Sequence, residues 1–175
     1  MRREAEDLRK KQVVKTIKTA NVEVLLRVAD DRNVDLKVLL YYRDARPVYL
    51  SQKALGKLQN YFESIENYCT EKSKLKKFYD DNPQFNEELY EQKFEDLAEN
   101  PVVQFRKIYD FLHWDYPGEV EAWIRKNTKE SSDGAYSTSR NSSAIISSWK
   151  QKIDKKEKFK VDGICNEYLK LLQYE

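Results

Sequence analysis

Two polar side chains follow the most apolar run of the sequence. Residues 36–42 read LKVLLYY, and this run is followed first by Arg43 and then by Ser51. A guanidinium binds a phosphate through two parallel charge-assisted hydrogen bonds, and a hydroxyl about two turns into the next helix can share that phosphate. The spacing therefore predicts a local anion site. The alternative stays open here: Arg43 pairs with Asp44 or Asp96, and Ser51 is only a small helix residue.

The elements that must position these side chains alternate between strands and helices. Residues 36–42 form a continuous apolar run, which is typical of a strand covered on both faces. The β-branched segment 13–17 and the alternating segment 89–94 predict two more strands. Helices are expected near residues 22–32, 44–58, 58–80, 100–112, 118–129 and 157–172. The pattern predicts an α/β fold with a parallel sheet and flanking helices. Ligands of such sheets bind at the carboxyl ends of the strands, so Arg43 and Phe94 are expected at one edge, within about 15 Å.

Composition limits the kinds of partner. The 175 residues suit a single domain spanning 1–175. With 32 Lys and Arg against 30 Asp and Glu, the net charge is +2, which argues against a nucleic-acid binder. No apolar run approaches the roughly 20 residues that span a bilayer, and the charged N-terminus has no signal-peptide pattern, so no membrane segment is expected in this chain.

Cysteine and histidine usage predicts no metal site. Cys69 and Cys165 form neither a disulfide framework nor a metal cluster by spacing, and the residues alone leave open whether they pair. His113, the single histidine, ends an amphipathic helix, where a cation is favoured by the helix dipole. No general base can be named from the sequence, so the catalytic residues are unknown.

Three segments, in order, resemble those of the sulfotransferase family, and the carbohydrate sulfotransferase branch in particular. They are RDARPVYLS (43–51), FEDLAENP (94–101) and RNSSAIISSWK (140–150). KTIK (15–18) resembles a short upstream strand, and residues 165–175 resemble the family's C-terminal helix. The resemblance implies a P-loop-NTPase-like sulfotransferase fold.

The resemblance also implies a reaction and a site. The donor would be 3′-phosphoadenosine 5′-phosphosulfate, and the acceptor a hydroxyl of a glycan or glycosaminoglycan in the Golgi lumen. Arg43 and Ser51 match the clamp on the donor's 3′-phosphate. Phe94 matches a position near the nucleotide that usually holds Tyr. Arg140, Asn141 and Ser142 match a loop over the same phosphate, which Trp149 and Lys150 would anchor. In such a lumen Cys69 and Cys165 would be free to pair, and the sequon at Asn141 is interpreted as unused because it lies in that loop.

The chain departs from the family pattern at its N-terminus. Only MRREAEDLRKKQ precedes residue 13, without a strand and a Gly-rich or Ser-rich loop for the 5′-phosphosulfate. The chain is therefore interpreted as an N-terminally truncated sulfotransferase, inactive alone. His113 stands where the family usually has Gly. The alternative function is a non-catalytic fragment or pseudoenzyme module that keeps a 3′-phosphate site. A third, weaker hypothesis is contact between acidic glycans and Lys10, Lys11, Lys15 and Lys18.

Overall fold

The computed structural model describes residues 12–16, 21–56, 59–128 and 146–174. These residues fall into two compact units that divide between Asp35 and Leu36. The first unit contains helix α1 (Val22–Asp31), which matches the helix expected at 22–32. Asn21 caps it, because its side-chain oxygen accepts a hydrogen bond from the Val24 N–H at 3.4 Å.

The strand predicted at 13–17 is wrong for the residues that the structure describes. Residues 12–16 have no regular secondary structure, and Ile17 lies outside the described ranges. Val13 and Val14 are 81% and 87% exposed. A β-branched run becomes a strand only when a neighbouring strand takes up its backbone hydrogen bonds and its side chains find a face to cover.

The second unit contains a sheet and a larger set of helices. Its elements are β1 (Val38–Tyr42), α2 (Ala45–Leu55), α3 (Tyr61–Asp81), β2 (Leu89–Lys93), α4 (Phe94–Glu99), α5 (Pro101–Phe111), α6 (Gly118–Asn127), α7 (Lys155–Ile164) and α8 (Asn166–Leu171), with 3-10 turns at Pro83–Phe85 and Trp149–Gln151. The helix expected over 157–172 is thus two helices, which meet at Cys165.

Strands β1 and β2 are parallel neighbours, so the predicted α/β fold with a parallel sheet and flanking helices is confirmed. Their register places Val38 opposite Leu89 and Tyr42 opposite Lys93. The described part of the chain shows these two strands where three were expected. Leu40 and Tyr42 are buried on one face, whereas Leu39 and Tyr41 on the other face are 42% and 41% exposed. The apolar run of β1 is therefore covered fully on one face alone.

A disulfide joins α3 to the C-terminal helices. Cys69 lies on α3 and Cys165 at the junction of α7 and α8, with their Cα atoms 5.5 Å apart. Ile65 is close to Cys69 in the sequence and Tyr168 is close to Cys165. Both side chains are buried and belong to the same core as the disulfide. Pairing of the two cysteines, one of the alternatives left open by the sequence, is the arrangement found. No helix in the described ranges combines the length and the apolar character that a bilayer crossing requires.

Candidate functional site

Arg43 and Phe94 meet at the carboxyl edge of the sheet. Arg43 directly follows β1 and Phe94 directly follows β2, and the last residues of the two strands, Tyr42 and Lys93, are opposite each other. The Arg43 guanidinium carbon lies 4.2 Å from the centroid of the Phe94 ring. This separation is well inside the expected limit. Stacking on a ring face leaves the in-plane N–H groups of a guanidinium free to bind an anion.

The carboxylates that could have neutralised Arg43 are engaged elsewhere or exposed. Asp44 forms a two-pronged pair with Arg46, whose Nε and Nη2 lie 2.9 Å and 2.8 Å from the two carboxylate oxygens. Asp96 is exposed, and within the described residues no salt bridge joins Arg43 to either aspartate. The Nε atom of Arg43 is buried without a hydrogen-bond partner there. An atom without accessible surface is out of reach of an outside ligand, so an external anion would have to bind the terminal Nη groups of Arg43.

Glu95 fastens the turn that carries Arg43. Its Oε1 accepts a hydrogen bond from the backbone N–H of Asp44 at 3.1 Å, and its Oε2 accepts one from the Tyr174 hydroxyl at 2.8 Å. Burial raises the pKa of Tyr174, and the nearby Glu95 charge adds to this effect, so the hydroxyl stays protonated and continues to donate. The first turn of α4, which directly follows β2, is thus hydrogen-bonded to the turn that follows β1.

Ser51 is presented by the helix that follows Arg43. It is the seventh residue of α2, about 9 Å along the axis from Ala45, and its side chain is exposed. The N-terminus of α2 is capped by Asp44, whose Oδ1 accepts from the Arg46 N–H at 2.9 Å. Because the helix tip is occupied by that carboxylate, an anion shared with Ser51 would lie beside α2.

The predicted phosphate loop lies outside the described residues. Arg140, Asn141 and Ser142 belong to the undescribed stretch, so their role stays a prediction. The residue expected to anchor this loop, Trp149, is buried. Trp149 and Lys150 line an open cleft of about 330 Å³ together with Arg46 and Lys158. Arg46 stacks on the Trp149 ring, and this contact ties the segment after the loop to the β1–α2 turn.

Three residues of this neighbourhood were not singled out from the sequence. Arg46 is 3% exposed and contacts both Asp44 and Trp149. Tyr68 and Tyr168 both contact the backbone of Arg43 from distant points in the chain. Of these three residues, Arg46 alone had a local signal in the sequence: it lies two residues after the N-cap Asp44, close enough to pair with it.

No group in the described ranges is assigned as a general base. His113 follows the end of α5 with φ of 52°, the left-handed conformation that favours glycine, so its position is explained by the helix end. The described residues also contain no group of three or more metal-ligating side chains.

The sequence matches known proteins along nearly its whole length. The sulfotransferase domain profile matches residues 1–173. Human carbohydrate sulfotransferase 3 is 26% identical over 98% of this chain, which corresponds to 40% of the relative. Human carbohydrate sulfotransferase 5 is 25% identical over 93% of the chain and 46% of its own length. Zebrafish (Danio rerio) carbohydrate sulfotransferase 1 is 24% identical over 95% of the chain and 45% of its own length. The chain thus spans less than half of these relatives. No solved structure matches it.

Proposed function

Because the chain belongs to the sulfotransferase family, we propose that it carries the 3′-phosphate-binding part of a carbohydrate sulfotransferase. The donor would be 3′-phosphoadenosine 5′-phosphosulfate and the acceptor a hydroxyl of a glycan or glycosaminoglycan. The relatives' names support sulfotransfer to carbohydrate, and they do so for proteins more than twice as long as the matched segment.

One observation carries the proposal. The guanidinium of Arg43 lies on the Phe94 ring at the carboxyl edge of a parallel sheet, and no salt bridge among the described residues neutralises it. An oriented cation with an unused donor fits a phosphate oxygen. Ser51 on the following helix would supply a second, neutral donor, and Arg140, Asn141 and Ser142 would close over the same phosphate.

The chemistry of the transfer determines what these residues have to do. A bond forms between the acceptor oxygen and sulfur, the bond from sulfur to the 5′-phosphate oxygen breaks, and the acceptor hydroxyl loses its proton. The donor leaves as 3′-phosphoadenosine 5′-phosphate. Arg43 and Ser51 would hold the distant 3′-phosphate, so that binding energy there orients the donor for in-line attack.

The proposal includes a compartment and a domain assignment. A Golgi lumen is oxidising enough to maintain a disulfide, and the Cys69–Cys165 pair supports such a location. Residues 1–175 would form one partial sulfotransferase domain, since the family profile covers both structural units.

A second candidate is a non-catalytic module that keeps the 3′-phosphate site. It stays open because no general base can be named from the sequence. Electrostatic stabilisation of the transferred group is the main catalytic contribution in such chemistry. We therefore expect weak nucleotide binding and no sulfuryl transfer by the 175-residue chain alone.

Calorimetry with two nucleotides tests the proposal. The chain is expected to bind 3′-phosphoadenosine 5′-phosphate more tightly than adenosine 5′-phosphate, which lacks the 3′ group. Arg43→Ala should weaken binding of the first nucleotide by about 1.5–3 kcal/mol per bond lost, more than tenfold, because it removes charge-assisted bonds. Ser51→Ala should have a smaller effect, about 0.5–1.5 kcal/mol.

Arg125→Ala is the matched control, since it removes an exposed arginine that pairs with Glu121 on α6. It should leave both affinities unchanged. Equal affinity of the unmodified chain for the two nucleotides would overturn the 3′-phosphate assignment. Sulfuryl transfer to a glycan by this chain alone would instead reject the non-catalytic alternative.

A further inference from the structure

Two tyrosine hydroxyls converge on the backbone of Arg43. The Tyr68 hydroxyl, from α3, donates to the Arg43 carbonyl oxygen at 2.9 Å, and the Tyr168 hydroxyl, from α8, donates to it at 2.7 Å. The Tyr168 oxygen also lies 3.3 Å from the Arg43 backbone nitrogen, from which it accepts. The two hydroxyls are 3.3 Å apart and their rings meet edge to face. These two side chains are called the tyrosine pair below.

The tyrosine pair binds a backbone group that regular structure leaves unpaired. β1 ends at Tyr42 and α2 begins at Ala45, so the Arg43 carbonyl belongs to neither the sheet ladder nor the helix. A partly buried carbonyl without a donor would destabilise this turn. On the other side of the same peptide unit, the Asp44 N–H donates to Glu95. Both polar atoms of the Arg43–Asp44 peptide are therefore held by side chains from three helices.

The environment keeps both hydroxyls in the donor form. Burial is the largest cause that raises the pKa of Tyr168, and the neighbouring Tyr68 raises it further. Burial also raises the pKa of Tyr68 above its ordinary value. Each hydroxyl consequently remains protonated far above neutral pH and can donate to the carbonyl throughout the physiological range.

We propose that Tyr68 and Tyr168 are positioning residues that fix the guanidinium of Arg43 over the Phe94 ring. Arg43 has little freedom in φ and ψ, because its own N–H, its C=O and the N–H of the next residue are all hydrogen-bonded to side chains, and this sets the direction in which its side chain leaves the strand. The guanidinium then meets a phosphate without first losing conformational entropy, and this increases affinity. The consequence for phosphate binding rests on the proposed function; the orientation of Arg43 does not.

Removal of single hydroxyls tests the positioning role. Tyr68→Phe and Tyr168→Phe keep the rings and delete one donor each. Calorimetry should show roughly three- to tenfold weaker binding of 3′-phosphoadenosine 5′-phosphate in each variant, with adenosine 5′-phosphate unaffected. Tyr116→Phe is the matched control, because the Tyr116 hydroxyl is buried without a hydrogen-bond partner among the described residues. It should leave the ratio of the two affinities unchanged.

A nucleotide-free measurement separates this inference from the proposed function. The Arg43 side-chain protons lie over an aromatic ring, so their NMR signals should be shifted upfield, and either Tyr→Phe variant should reduce that shift. Unchanged Arg43 shifts in both variants would overturn the positioning role, whatever the nucleotides do. An equal fold-loss of affinity for the two nucleotides, together with a lower melting temperature, would also overturn the positioning role. That result is the one expected from general destabilisation. If the unmodified chain does not discriminate the nucleotides but the shifts respond, the proposed function fails and the positioning role stands.

Discussion

The guanidinium of Arg46 stacks on the indole of Trp149, with its carbon 4.6 Å from the ring centroid. The same guanidinium forms the two-pronged pair with Asp44, and its Nη1 lies 3.7 Å from Asp162 on α7. Arg46 thereby joins the turn that carries Arg43 to the segment that follows Arg140, Asn141 and Ser142 in the sequence. A buried arginine with three partners is a structural hub of the site.

Replacement of Arg46 should be strongly destabilising. Arg46→Ala leaves Asp44 buried without its partner, and breaking a buried ion pair on one side costs about 3–5 kcal/mol. Urea unfolding followed by circular dichroism measures this loss. Arg106→Ala, which removes an exposed partner of Glu121, is the matched control and should change stability far less. Similar urea midpoints for the two variants would show that the buried Asp44–Arg46 pair contributes no more to stability than an exposed ion pair.

The sequence predicted those features of the site that depend on residues close to one another in the chain. An apolar run followed by Arg43, and Phe94 after an alternating run, indicated two parallel strands that end together, and the structure places these two side chains in contact. Asp44 was expected to cap the next helix, and it does. Each of these features depends on residues within one element and on the general rule that ligands bind at the carboxyl ends of parallel strands.

The contacts that the sequence did not predict are those between residues far apart in the chain. Tyr68 and Tyr168 are 25 and 125 residues from Arg43, and no spacing in the sequence links them. One alternative that the sequence left open paired Arg43 with Asp44 or Asp96, whereas the carboxylate of Asp44 pairs with Arg46. The strand expected at 13–17 failed for a related reason: strand formation depends on a partner from elsewhere in the chain, which β propensity does not reveal.

Stability should decline in alkaline solution partly because of Tyr49. Burial raises the pKa of Tyr49 from 10.0 to about 12, and the hydrogen bond that its hydroxyl donates to Glu157 at 3.0 Å adds to the effect. Since the folded-state pKa is the higher one, folding favours the protonated hydroxyl. This contribution is complete below pH 10 and is lost as the pH rises from 10 to about 12.

Urea unfolding at several pH values in that interval measures the decline. Tyr49→Phe should show a shallower decrease in unfolding free energy between pH 10 and 12, because it lacks the group that titrates. Glu157→Gln should bring the pKa of Tyr49 closer to its ordinary value, which absorbance titration detects. An identical pH slope for the Tyr49→Phe variant and the unmodified chain would contradict the prediction.

Loss of the Cys69–Cys165 disulfide should lower stability by about 4–5 kcal/mol, the loop-entropy contribution of a cross-link of this span. The two cysteines are 96 residues apart, and the cross-link removes the corresponding loop entropy from the unfolded chain, a contribution that grows with loop length. The bridge also lies beside the tyrosine pair: Cys69 follows Tyr68 directly, and Tyr168 is on the helix that begins after Cys165.

Urea unfolding with and without dithiothreitol measures the effect of the disulfide on stability. A Cys69→Ala/Cys165→Ala double variant is the control, because it should match the reduced protein and be insensitive to the reductant. Equal midpoints of the oxidised and reduced chain, with complete thiol labelling of the reduced sample, would show that the bridge does not contribute to stability.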